Sequence, residues 1–274
     1  MPAAVSSLRI VLLGAGRVAS QLGPALSRAG HRVSGVWSRT AASAAALAAQ
    51  IPGALLLDGL ELAHVPADLY LLAVPDAAVA TVLAAAVFPP GALVVHTAGA
   101  LPLSVFAAYP RLRGGVFYPL QTFSPGRRID WTVVPFCLEA ADTAAAATLV
   151  ELAGSLSQRV FLVATPQRQA LHVAAVFASN FTNHLLGISH TLAGEAGVPF
   201  ALLAPLVRET MEKALQQPPF SVQTGPAVRH DDATLDLHRQ ALAVYPLWQS
   251  IYNDLTESIQ AQKTGPPANN APAA

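Results

Sequence analysis

The sequence predicts an α/β fold, with a mostly parallel sheet covered by helices on both faces and an all-helical C-terminal domain after it. Three observations predict it. Short, continuously apolar runs alternate with alanine-rich helical stretches up to about residue 164, the pattern of strands buried on both faces. A glycine turn directly follows the first run and opens a helix. Beyond Thr165-Pro166 only helical patterning remains.

Residues 8–13 read as the first buried strand and 18–29 as its helix. A strand at 32–37, a helix at 41–50 and a short strand at 54–57 follow. Residues 68–74 form the next strand and 77–86 its helix. The remaining strands fall at 92–95, 115–118, 133–138 and 159–163, with a helix at 143–155 between the last two. Thr165 is suited to cap a helix whose first residue is Pro166, where the missing N–H costs nothing. That helix runs to Ala196 and stops at Gly197, with Pro199 beyond. It is apolar nearly all round, so it should be covered by other helices or by a second subunit, which makes a homodimer the expected state. Helices at 200–215, 232–244 and 247–262 complete the pattern. The domains are therefore 1–164, a dinucleotide-binding unit by the argument below, and 165–263, a helical unit for substrate and dimerisation. The Pro-, Asn- and Ala-rich tail at 264–274 is expected to be disordered.

Composition excludes several classes. The chain has 274 residues, 53% of them hydrophobic, and a formal net charge of zero. It therefore lacks the field for broad binding to nucleic acid or acidic membranes. Its one cysteine, Cys137, cannot form an intrachain disulfide. The uncharged segment between Asp76 and Arg111 is broken by Pro89-Pro90-Gly91, and its apolar run at 77–88 is far shorter than the about 20 residues a spanning helix needs. The N-terminus lacks a basic start, and its apolar run at 10–13 ends in a glycine turn, unlike a signal peptide. A cytoplasmic protein is expected.

The strongest motif is Gly14-Ala15-Gly16-Arg17-Val18-Ala19, a G-x-G-x-x-A placed between a strand and a helix. Gly14 permits the tight turn, Gly16 lets the backbone approach a pyrophosphate, and Ala19 allows close helix–strand packing. The helix N-terminus offers free N–H groups and a positive dipole end to phosphates. This is the fingerprint of a Rossmann dinucleotide site. The second strand ends in Ser38-Arg39-Thr40, where a site selective for NAD would place an acid for the ribose hydroxyls. Ser38 does not repel a 2′-phosphate, Arg39 can fork onto it, and Thr40 adds a hydroxyl, so NADP is the expected cofactor. The bland alternative is an ordinary surface arginine. Ligands in such sheets lie beyond the carboxyl ends of the strands. Val74 and Pro75, Ala98 and Gly99, and the segment from Tyr118 to Phe123 should therefore line the cleft. Asp76 is expected to act as a helix N-cap, and His96 is equally a structural or a functional histidine.

Gly14 to Ala19, Ser38 to Thr40 and the long helix after Thr165 resemble the β-hydroxyacid dehydrogenase superfamily, which includes ketopantoate and pyrroline-carboxylate reductases. Three segments, 117–123, 178–181 and 224–231, are similar to a largely uncharacterised family that joins a Rossmann-like domain to a C-terminal domain of unknown function. The resemblance covers roughly residues 8–262 and implies an NADP-type fold and a helical dimer interface. It supplies no substrate. Many superfamily members place a lysine on the long helix as general acid, with an asparagine four residues later. Asn180 matches that asparagine, but Val176 stands where the lysine would be. The chain's two lysines, Lys213 and Lys263, lie elsewhere, so that chemistry does not transfer.

At about 100° per residue, His172, Val176, Ser179, Asn180 and Asn183 share one stripe of the long helix. A polar stripe on an apolar helix needs partners, supplied by neighbouring polar groups or by a ligand. In the ligand reading His172 gives or takes the substrate proton, because an ordinary imidazole titrates near neutrality. Asn180 holds the substrate oxygen or nitrogen, and Asn183 and Gln121 orient the remainder. Arg229 pairs either with a substrate carboxylate or with Asp231 or Asp232. His230, Asp231 and His238 lack a zinc spacing, and no metal is expected. The sequence therefore predicts an NADP-dependent oxidoreductase acting on a small oxo-, imino- or hydroxy-acid, with a ketopantoate-like compound as a guess. A non-catalytic NADP-binding regulator or scaffold and a deazaflavin-dependent NADP reductase are the alternatives.

Overall fold

Neighbouring residues of a strand face opposite sides, so a run that is apolar throughout fills two cores. The first strand, β1 (Arg9–Leu13), does so from Ile10 on. Ile10 and Leu12 enter one core with Leu22, Leu26 and Leu149, while Val11 and Leu13 enter the other with Tyr70, Val79 and Leu83. The computed structural model describes residues 7–264. The further strands are β2 (Arg32–Trp37), β3 (Leu55–Leu56), β4 (Leu69–Leu72), β5 (Leu93–His96), β6 (Arg113–Pro119), β7 (Phe136–Ala140) and β8 (Val160–Leu162). Helices α1 (Arg17–Arg28), α2 (Ala41–Ala48), α3 (Asp76–Ala85) and α4 (Thr143–Gly154) alternate with them. One sheet results, in the order β3-β2-β1-β4-β5-β6-β7-β8. Winding runs outward from β1 through β3, then restarts at β4 on the other side of β1. That reversal opens a crevice beyond the carboxyl ends of β1 and β4, where nucleotides bind in doubly wound sheets.

Every pairing is parallel except that of β6 with β7, in which Tyr118 lies opposite Cys137. The connection from β6 to β7 holds no α-helix, and an antiparallel return does not need one. Val133, expected in a strand, instead sits in a 3-10 turn (Trp131–Val133) capped by the Asp130 carboxylate, which accepts from Thr132 N at 3.1 Å.

The expected long helix is present in three pieces: α5 (Thr165–Ala175), a π-helical turn (Val176–Phe181) and α6 (Thr182–Glu195). Thr165 is not its cap. Ala164 holds that position, and the Thr165 hydroxyl donates to Glu139 Oε2 at 2.7 Å, a carboxylate acceptor that outcompetes a cap. Gly197, at φ +71°, follows the end as expected. Within the first unit, Val173 and Phe181 keep 58% and 48% of their surface exposed.

Two compact units divide the chain, Met1–Phe181 and Thr182–Ala274. The second holds α6, α7 (Ala204–Gln216), α8 (Pro226–Arg229), α9 (Asp232–Ala241) and α10 (Pro246–Thr264). Its side chains are tied by His238 Nδ1 to the Tyr252 hydroxyl at 2.8 Å, by Arg239 to Asp236 at 2.7 Å, and by the Tyr245 hydroxyl donating to Glu195. The helix expected at 200–215 opens as a 3-10 turn (Phe200–Leu203), and α9 stops short of Val244, ahead of Pro246. α8 was not foreseen. The tail expected to be disordered lies, from residue 265 on, outside the described residues. No described helix is long and apolar enough to cross a membrane.

Candidate active site

The turn after β1 is built for a nucleotide backbone. Gly14 sits at φ +119°, and its N–H donates to Trp37 O at 2.7 Å. A Cβ there would stand 2.3 Å from Ala73 O, so both conformation and space require glycine. Gly16 is the exposed N-cap of α1. No side chain caps that terminus and no acid stands in its first turn. Its amides can therefore receive a phosphate. Ala15 and Val18 are half-buried and Arg17 is exposed. Ser38 is half-buried at the end of β2, and Arg39 and Thr40 beside it are exposed. Val74 and Pro75 precede α3. Pro75 holds the N-cap position and Asp76 is the first helical residue, a correction to its expected role; the carboxylate still favours the positive helix end.

A second feature lies where α5 and the π turn meet the end of β6. A cleft of about 570 Å³ is lined there by Tyr118, Leu120, Gln121, Thr122, His172, Val176, Ser179 and Asn180. All belong to the first unit. The expected His172, Asn180 and Gln121 therefore come together. The π turn supplies Ser179 and Asn180 from a wider helical turn, a distortion frequent at functional sites. Asn183 is exposed on α6, and Arg229 ends α8; both belong to the second unit.

The sequence named the segment at Tyr118 without giving its side chain a role. Its hydroxyl lies 3.1 Å from His172 Nδ1, and the two rings meet edge to face. Buried Gly99 backs the pair: a Cβ there would stand 2.5 Å from His172 Nδ1 and 2.8 Å from Tyr118 Cζ. Burial pushes the Tyr118 phenol up to about 12. The Cys137 thiol and the Asp76 carboxylate push the same way, while the Arg168 cation opposes them.

Arg168 is the other group that sequence reasoning missed. It is fully buried on α5, one turn before His172. Nη1 donates to the carbonyls of Ala98, Gly99 and Leu101 at 3.2, 2.8 and 2.8 Å. Nη2 donates to Glu139 Oε2 at 2.9 Å and Thr165 Oγ1 at 3.1 Å. Gln169 adds a bond to Ala100 O at 2.8 Å. Helix α5 thus holds the whole segment beyond β5. Burial raises the Glu139 carboxyl, but hydrogen bonds from Thr165 and Arg168 outweigh it, and the net shift is downward. A lone arginine on the apolar helix, four residues before His172, was the available signal.

His96 is fully buried and stacks on Phe106 with centroids 5.8 Å apart; its Nδ1 accepts from Ala98 N at 3.2 Å. Burial, and then the Arg168 charge, lower its pKa to about 4. The folded protein keeps it neutral, whereas an unfolded chain protonates it below about pH 6.5. Its contribution is complete above that pH and is lost as pH falls from 6.5 toward 4, by up to about 3 kcal/mol. His31, also lowered by burial, acts in the same direction. Urea midpoints at pH 7 and pH 4.5 should therefore differ less in His96→Gln than in the wild type. An equal drop in both would show that His96 is not the sensitive group.

In the second unit Asp231 caps α9, accepting from Thr234 N at 3.2 Å and Thr234 Oγ1 at 2.8 Å. Those bonds lower its carboxyl most, with Arg229 a smaller contributor. Among the described residues, no group of three or more His, Cys, Asp or Glu is arranged to hold a metal ion.

A doubly wound sheet with a glycine-turn cradle, followed by helices, defines a dinucleotide-binding protein of the Rossmann type with an appended helical domain. Residues 3–120 match the Rossmann-like domain, and residues 134–259 match the domain of unknown function DUF2520. A crystal structure of a candidate NADP oxidoreductase from Bacteroides fragilis is 40% identical, covers 94% of this chain and 100% of its own, and superposes with a TM-score of 0.86. The chain belongs to the family that joins these two domains. A protein from Thermotoga maritima (20% identity, 92% and 97% coverage, TM-score 0.65) shares the fold. So does a reductive aminase from Aspergillus terreus in complex with NADPH and ethyl levulinate (20% identity, 93% coverage of each chain, TM-score 0.68). A search of curated proteins returned no match.

Proposed function

We propose that the protein is an NADP-dependent oxidoreductase acting on a small oxo-acid, imino-acid or hydroxy-acid. The observation that carries this reading is the Gly14 turn, closed to any side chain by Ala73 O and followed by the uncapped start of α1. The relative from Bacteroides fragilis, described as a candidate NADP oxidoreductase, supports it. Bound NADPH supplies a hydride. The protein's part is to place the substrate and manage a proton. Gly14, Ala15, Gly16, Arg17 and Val18 cradle the phosphates, Ser38, Arg39 and Thr40 receive the 2′-phosphate, and Val74, Pro75, Ala98 and Gly99 line the cofactor cleft. His172 serves as the acid–base group and Asn180 holds the substrate heteroatom, with Gln121 beside them. The roles of Asn183 and Arg229 rest on sequence.

Thermal-shift titration with NADP and NAD, then NADPH absorbance with a panel of oxo- and imino-acids, tests the reading. NADP should stabilise the protein more than NAD. Arg39→Ala should lose about 10- to 100-fold in NADP affinity, the worth of a charge-assisted fork, with NAD affinity little changed. Equal loss for both nucleotides would remove Arg39 from the 2′-phosphate. NADP binding without turnover on any panel member would favour a non-catalytic NADP-binding protein. A homodimer is proposed because Val173, Phe181 and Leu162 of β8, the last 66% exposed, put apolar surface on the first unit. Light scattering should return twice the 28.4 kDa chain mass, and a clean monomer would end that part.

A further inference from the structure

We propose that Tyr118 is a catalytic residue whose hydroxyl hands the proton to the substrate oxygen or nitrogen, and that His172 resupplies it. The proposal rests on the oxidoreductase reading and adds a residue and a proton route to it. Of the polar groups lining the cleft, Gln121, Thr122, Ser179 and Asn180 are amides and aliphatic hydroxyls, which hold a substrate but do not exchange protons near neutral pH. The phenol and the imidazole remain, and they are bonded to each other at 3.1 Å. The pair is fixed from behind, because Gly99 packs too closely against both rings to admit even a methyl group. Gly99 is itself held through its carbonyl by Arg168.

The bond between the two rings can run either way, and one direction suits transfer. When His172 Nδ1–H donates to the phenol oxygen, the phenol O–H is left free for a substrate in the cleft. The substrate carbon then accepts a hydride with its two electrons, and the π pair of the C=O or C=N bond moves to the heteroatom. The Tyr118 O–H bond breaks as the new bond from that proton to the heteroatom forms. His172 Nδ1–H then passes its proton to the phenolate oxygen as the other ring nitrogen takes one from a solvent hydronium ion, so each turnover consumes one hydride and one solvent proton. Burial keeps the phenol protonated, with a proton to give, and the buried Arg168 cation favours the phenolate that develops.

Tyr118→Phe removes the hydroxyl and keeps the ring. In the full-length protein it should bind NADPH within about twofold of wild type and lose about 100-fold or more in kcat, with KM little changed. His172→Gln should lose a similar amount, and the double variant no more than about threefold beyond either, as expected of groups that act as a unit. Added imidazole should restore about tenfold of turnover to His172→Ala, which a merely structural histidine would not allow; no restoration overturns the part given to His172. Tyr118→Phe with kcat within about threefold of wild type overturns the relay and leaves the oxidoreductase reading standing. A wild-type protein that binds NADPH yet is inert toward the whole panel overturns both.

Discussion

Arg168→Met should lower folding stability by about 3–5 kcal/mol, the range for breaking one partner of a buried ion pair. The cost has two sources. Glu139 loses the cation at 2.9 Å and remains a carboxylate that is mostly buried, and the carbonyls of Ala98, Gly99 and Leu101 lose their shared donor. Adding Glu139→Leu to Arg168→Met should recover part of the loss, because replacing both charges by apolar groups removes the stranded carboxylate. Arg168→Lys should fall between the two, since an ammonium keeps the charge but cannot reach carboxylate and carbonyls as a planar fork does. Urea midpoints for the four proteins check this. A loss below about 1 kcal/mol in Arg168→Met would mean that the surrounding carbonyls find water instead.

The parts legible in the sequence are those that local physics writes. Ile10 to Leu13, the glycine turn and Ala19 announce strand, turn and helix within a dozen residues, because each requirement is met by neighbours in the chain. His172 and Asn180 could be placed together because a helix brings residues eight apart onto one side. What could not be read depends on pairs distant in sequence. Tyr118 meets His172 across 54 residues, and Arg168 meets Glu139 across 29, both through the antiparallel return of β7 and the docking of α5. Thr165 carries the same lesson in reverse. Its local pattern is that of a cap, and Glu139, 26 residues away, takes its hydroxyl. The π turn was hidden as well, since its residues have ordinary helical patterning.

Gly16→Val should separate nucleotide binding from folding, and Gly14→Ala should not. At Gly16 the backbone is extended, at φ −80° and ψ −169°, and an added Cβ would meet only Ala73 O, at 3.9 Å. Stability should therefore stay within about 1 kcal/mol of wild type, as for surface changes away from packing. A valine there occupies the surface over which a pyrophosphate must settle, and loss of about two charge-assisted hydrogen bonds lowers NADP affinity about 100-fold. At Gly14 the obstacle is the protein's own backbone. The Cβ would sit 2.3 Å from Ala73 O and 2.7 Å from Ala73 C, atoms that cannot turn aside by changing rotamer, and φ +119° strains any side chain. Gly14→Ala should lose both stability, by about 2 kcal/mol or more, and binding. Titration of the folded Gly16→Val protein with NADP decides the matter. Wild-type affinity in that variant would mean that the nucleotide does not lie over this turn, and the cradle would then be a structural corner between β1 and β4.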